Sequence, residues 1–176
     1  MNSRSIQLVL FDVDGVLTDG SLYVGLDGEV FKKFNAKDGV AVALLKIHGV
    51  QVGVISGKAS KALDFRINQL DFDHSITGCS NKLSALECLL ERIGLGFDQV
   101  AFVGDDIIDI PVMKKVGLSI APADAHELAI NAAHYVTLLK GGEGVARESA
   151  ELILRKSGLS LSDMYVDMLG SHEITQ

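Results

Sequence analysis

The chain of 176 residues has no tryptophan, two prolines, two cysteines and too few bases to balance its acids, with 16 Lys and Arg against 23 Asp and Glu and a net charge of −7. Each shortage argues against a class of protein. Cys79 and Cys88 lie nine apart without CxxC spacing, which argues against a disulfide framework and a cysteine zinc site. An acidic surface repels nucleic acid and anionic lipid, so neither is expected as a partner. No apolar run approaches the roughly 18 residues that a spanning helix needs, and no secretory apolar segment opens the chain. The expected location is the cytoplasm. What remains is 48% hydrophobic and 22% charged, the balance of an ordered globular protein. Its length suits one domain, taken as 1–158, with a polar tail over 159–176.

Short β-rich apolar runs recur along the chain: LVLFD (8–12), VQVGVIS (50–56), VAFVGD (100–105) and YVTLL (135–139), with weaker candidates at HSIT (74–77) and LSIA (118–121). Between them, residues 38–49, 60–70, 80–94, 107–117 and 124–133 carry apolar side chains at helical spacing, and a last helix follows GGEG. Strands alternating with helices predict a doubly wound parallel α/β sheet covered on both faces. One segment departs from the alternation. SLYVGLDGEVFKKFN (21–35) has alternating apolar residues around Asp27-Gly28 and predicts a projecting β-hairpin.

In an open α/β sheet, ligands bind beyond the carboxyl ends of the strands, and here those ends are polar. The first run ends in Asp12, another in Ser56-Gly57-Lys58, another in Gly104-Asp105-Asp106, and Lys82 opens the helix after HSIT. Asp12 and Asp14, two apart in extended chain, point the same way. With Asp105 they offer hard oxygen donors suited to Mg²⁺ beside a substrate phosphate. A carboxylate freed of repulsion in this way can attack phosphorus, a second two residues on can move protons, and Ser56 and Lys82 can hold phosphoryl oxygens. A calcium loop fits poorly, because Val16 and Tyr23 occupy positions where its pattern needs oxygen ligands. The five histidines lack metal-ligand spacing and read as structural or exposed, and Cys79 has no partner base.

DVDGVLTD (12–19), ISG (55–57), Lys82 and GDDIID (104–109) together resemble, in order, the four motifs of the haloacid dehalogenase-like phosphohydrolases. The resemblance implies Asp12 as nucleophile, Asp14 as general acid/base and Ser56 and Lys82 as phosphoryl ligands. It implies a Mg²⁺ site of Asp12, Asp105 and the backbone carbonyl of Asp14, with Asp109 behind it. Over residues 6–156 the chain is most similar to a capless branch that acts on an eight-carbon sugar-acid phosphate in lipopolysaccharide precursor synthesis. That similarity includes GEVFKKFNAKDG, SGK, SNKLSAL, the ADAHELAINAAHYVT run and GGEGVARE. It implies substrate contacts at Asp14, Asn35, Ala36, Lys37, Asp38, Gly39, Lys58, Arg66 and Lys82, with Lys58 standing where the branch usually carries arginine. Neither the gap between the first and second motifs nor that between the second and third holds a cap domain, so an open site completed by neighbours in a homotetramer is expected. A nine-carbon sialic-acid-like substrate remains the alternative within this class. A phosphorylation-responsive receiver module is the alternative outside it, disfavoured because its phosphorylated aspartate ends the third strand.

Overall fold

The structure, a computed structural model, describes residues 5–26 and 28–170. Six parallel strands form one sheet in the order β5 (His74–Ile76), β4 (Gln51–Ile55), β1 (Leu8–Phe11), β6 (Val100–Val103), β7 (Leu118–Ala121) and β8 (Tyr135–Val136). β1 is central because it is the most apolar segment: all four of its residues are buried, and burial on both faces is what a continuous apolar strand requires. Its side chains alternate between two cores. Val9 and Phe11 pack under α1 (Ala36–Ile47), α2 (Lys61–Leu70), α6 (Val145–Lys156) and α7 (Leu161–Gly170). Leu8 and Leu10 pack under α3 (Lys82–Ile93), α4 (Ile110–Met113) and α5 (Glu127–Ala132).

The chain winds outward from β1 through β4 to β5, then returns to the opposite side of β1 as β6. That reversal opens a crevice at the carboxyl ends of β1 and β6, where ligands bind in such sheets. Helix starts are fixed by side-chain caps: Asn35 Oδ1 accepts from Lys37 N at 3.0 Å, Ser60 Oγ from Leu63 N at 3.3 Å and Asn81 Oδ1 from Ser84 N at 3.1 Å.

The predicted hairpin is present as β2 (Tyr23–Gly25) and β3 (Gly28–Phe31), antiparallel and separate from the main sheet, with Tyr23 and Phe31 stacked at 4.2 Å. Asp27 of its turn lies outside the described residues.

Three predicted elements differ from what is observed. The strand expected over 135–139 ends at Val136, because the Glu148 carboxylate takes the amides of Leu138 and Leu139 at 2.8 and 3.1 Å. The helix expected over 107–117 is a tight turn followed by the single turn α4, with Pro111 near its start. Gly117 N then bonds Phe97 O at 2.8 Å and returns the chain toward β7. Within the expected tail, residues 161–170 form α7, which buries Met164 and Met168 against the core; residues 171–176 lie outside the described residues.

Candidate active site

β1 delivers Asp12 to the crevice, where Asp12 N donates to Val103 O of the neighbouring strand at 2.8 Å. The chain then turns tightly over 13–17, closed by Thr18 N to Val13 O at 3.0 Å. Gly15 is required in this turn: its φ is +93°, and a Cβ there would collide with the Asp105 carboxylate. β4 delivers Ser56, whose N–H donates to Ile76 O at 2.8 Å. Ser56 Oγ accepts from Lys58 N at 3.2 Å, which leaves its hydrogen for a ligand. β6 delivers Asp105, and Lys82 reaches the crevice from the first residue of α3.

Lys82 joins the cluster: its Nζ lies 2.7 Å from Asp12 Oδ1 and 2.6 Å from Asp109 Oδ1, with all three side chains nearly or fully buried. Asp109 Oδ2 accepts the amides of Asp105 at 3.0 Å and Asp106 at 3.3 Å, so it braces the loop that carries Asp105. Burial pushes the Asp12 carboxyl up from its ordinary value, against the pull of Lys82 and with the charge of Asp109 adding to it. Burial also raises Asp105, reinforced by the charges of Asp12 and Asp109. One ammonium thus faces three carboxylates, and burying such an excess of like charge is costly unless another cation is present.

The residues fit a hard divalent cation. Asp12, Asp105 and Asp109 each offer an oxygen within 4.8 Å of the others, and Asp105 Oδ1 is buried without a partner. Oxygen-only donors suit Mg²⁺ rather than a softer metal. The carboxylate of Asp14 points elsewhere: Lys32 Nζ lies 2.6 Å from its Oδ1, and Thr18 Oγ1 is 3.4 Å from the same oxygen. Lys32 also meets Glu29 at 2.9 Å. Sequence reasoning did not single out Lys32 or Glu29, because hairpin alternation alone does not tell which of Lys32 and Lys33 turns inward.

The expected substrate contacts divide into accessible and buried groups. Ala36, Lys37 and Lys58 are exposed, and Arg66 is half-buried, donating to Asn35 O at 3.1 Å and Gln69 Oε1 at 2.9 Å. Both ends of the Asn35 side chain are engaged, Oδ1 in the helix cap and Nδ2 with Gly142 O at 3.0 Å. Asp38 and Gly39 are buried beneath them. Asp19, the third acid of the opening motif, accepts from Ser21 N at 3.0 Å and orders the entry to the hairpin. The loop before α6 lies over the 13–19 segment: Gly142 N donates to Val16 O at 3.0 Å and Gly141 N to Asp124 Oδ1 at 2.9 Å.

Comparison with known proteins places this geometry among relatives. Residues 72–148 match a family described as haloacid dehalogenase-like hydrolase. The chain is 45% identical over 156 residues to 3-deoxy-D-manno-octulosonate 8-phosphate phosphatase of Escherichia coli K12, covering 89% of this chain and 83% of that one. The crystal structure of the same phosphatase from Yersinia pestis superposes with a TM-score of 0.84 at 46% identity, covering 87% of this chain and 83% of that one. The Moraxella catarrhalis phosphatase, solved with magnesium ion, phosphate ion and KDO, superposes with a TM-score of 0.84 at 32% identity, covering 93% and 91%.

Proposed function

Because the chain belongs to the 3-deoxy-D-manno-octulosonate 8-phosphate phosphatases, which are haloacid dehalogenase-like hydrolases, we propose that it hydrolyses 3-deoxy-D-manno-octulosonate 8-phosphate to the free sugar acid and phosphate in the cytoplasm. The observation that carries this reading is the buried Lys82 bridging Asp12 and Asp109, with Asp105 beside them. In this reading Asp12 is the nucleophile, Lys82 the phosphoryl-binding cation, and the neighbouring carboxylates the Mg²⁺ site.

In the reaction, an oxygen of Asp12 attacks phosphorus while the bond from phosphorus to the sugar oxygen breaks. Asp14 gives its proton to that oxygen as it leaves. Ser56 and Lys82 hold the equatorial phosphoryl oxygens, where transition-state charge spreads. Water then attacks phosphorus, passes a proton to Asp14 and releases phosphate as the bond to Asp12 breaks. Asp12, Asp105 and the carbonyl of Asp14, with Asp109 adjoining, would hold Mg²⁺, whose charge would offset that of the carboxylates and the phosphate so that the two anions could approach. Exposed Lys58 and Lys37 and half-buried Arg66 supply positive charge for the sugar carboxylate and hydroxyls.

No helix among the described residues is long and apolar enough to cross a membrane. The hairpin exposes Leu22, Val24, Leu26, Val30 and Phe31, and in this reading paired hairpins join four chains into a homotetramer.

Phosphate release across sugar-acid and ordinary sugar phosphates, with Mg²⁺ and with EDTA, tests the assignment. Activity is expected with Mg²⁺, lost in EDTA, and greatest on the eight-carbon substrate. Equal turnover of every ester, or a higher kcat/KM on a nine-carbon sugar-acid phosphate, would reject that substrate. Asp12→Asn is expected to abolish turnover, and near-wild-type release by that variant would reject the covalent route.

A further inference from the structure

The side chain of Lys32 is 2% exposed although the residue lies at the end of a solvent-facing hairpin. Its neighbour Lys33 behaves ordinarily, with a side chain 65% exposed and a 3.3 Å contact to Asp19. Burying an ammonium is costly unless it is paired and hydrogen-bonded, and Lys32 is paired twice, with Asp14 at 2.6 Å and Glu29 at 2.9 Å. Burial works against its charge, yet the hydrogen bonds of Asp14 and Glu29 more than offset this and raise its pKa. Glu29 also feels the positive charge of Lys58. A continuous set of contacts therefore runs from Glu29 through Lys32 to the carboxyl that moves protons.

We infer that Lys32, anchored by Glu29, is a positioning residue for Asp14, holding its carboxyl where one oxygen serves the departing and entering oxygens of the reaction. The inference rests on the phosphatase reading. Lys32 and Thr18 both engage Oδ1 of Asp14, and neither uses Oδ2, so Oδ2 is the oxygen left for proton transfer. Lys32 itself neither touches the nucleophile nor replaces Lys82 as the phosphoryl cation. A hairpin out of place would carry Lys32 with it, and Asp14 would lose its fixed rotamer while Asp12 kept its own.

The reaction offers a readout that a merely structural role would not move. When the phosphorus–oxygen bond of an alkyl ester breaks, the alkoxide must take a proton from Asp14, whereas p-nitrophenolate departs without one. Because kcat/KM reports steps through the first irreversible event, it isolates this half of the reaction. With Lys32→Met, kcat/KM on the alkyl sugar phosphate is expected to fall about 10- to 100-fold, part of the usual general-acid contribution, while p-nitrophenyl phosphate changes less than about threefold. Lys32→Arg, which keeps the charge, should lie between the Met variant and wild type on the alkyl ester. Glu29→Gln should show the same selective loss to a smaller degree, and Lys33→Met should match wild type on both.

Equal losses on the two esters, no loss on either, or an Arg variant no better than Met would overturn the inference. Should Lys32→Met fail to fold, Glu29→Gln is read by the same criterion, and an unselective effect there overturns it equally. Asp12→Asn, run alongside, separates the two levels: activity surviving in that variant rejects the phosphatase mechanism, whatever the ratio at Lys32.

Discussion

Asp38 sits in the first turn of α1 with 3% exposure, in a stretch that the sequence associates with substrate. Burial lifts its carboxyl from 3.8 to about 7, against the opposing pull of Arg66, and both of its oxygens are buried without a hydrogen-bond partner among the described residues. The sign of the linkage follows. In the unfolded chain Asp38 loses its proton near its ordinary value, while the folded protein keeps it until about pH 7. The stability contributed by the neutral acid is therefore complete below about pH 4, declines as pH rises to about 7 and is absent above that. Asp38→Asn keeps the shape and removes the titration, so its stability relative to wild type should rise from pH 4 to 7 by no more than about 4 kcal/mol and then level off. Denaturant unfolding at pH 4.5, 6 and 8 measures this, and a difference independent of pH would contradict it. Residue identity alone could not reveal such a role: the resemblance of the 35–39 segment associates Asp38 with substrate, and only packing shows that it is buried in the first turn of α1.

At the scale of elements, the loop before α6 ties the site together. Gly141 and Gly142 lie against the backbone of 15–19, and a Cβ on Gly141 would collide with Gly15 O and crowd Thr18 O. Backbone carbonyls of a tight turn cannot swing aside as a flexible side chain can. Gly141→Ala is therefore expected to displace the 13–17 turn that carries Asp14 and to lower kcat about tenfold or more, since small misplacements of reacting groups are costly. Far-ultraviolet circular dichroism should stay unchanged, and full activity in this variant would show the contact to be slack.

Elements also differ in how plainly the sequence announces them. β1 and β6 are legible because strands buried on both faces are continuous apolar runs, and their terminal Asp12 and Asp105 come to the crevice as the motif order implies. The hairpin is legible from its alternation. α7 is not, because its anchors are long-range, Met164 and Met168 buried in the core and Tyr165 bonded to Arg147 and Glu151, and a ten-residue helix owes its order to packing rather than propensity. β8 is shorter than its pattern because Glu148, from a later helix, intercepts its amides, a long-range event invisible to local periodicity.

For the whole molecule, the decisive feature is how much apolar surface the hairpin leaves uncovered. Val24 and Val30 are exposed, Phe65 of α2 is exposed nearby, and a groove of about 470 Å³ between hairpin and α2 is lined by Val30, Phe31, Phe34 and Phe65 together with Lys32, Arg66 and Gln69. Contiguous apolar surface of this kind marks an interaction site. The site supplies the second half of the argument, because among the described residues no cap closes over Lys58 and Arg66, and the same hairpin that exposes these apolar residues carries Lys32 to Asp14. Association of hairpins would bury the apolar face and fix Lys32 in one step. With the proposed homotetramer, the chain should elute at about four times its own mass in sizing chromatography with light scattering. Val24→Asp combined with Val30→Asp places two charges in an interface that must be dry, and should release monomers with intact secondary structure and lowered kcat/KM. A wild-type monomer with full activity would refute the assembly. Dissociated variants retaining wild-type kcat/KM would show that one chain holds the complete site and that the exposed hairpin serves association alone.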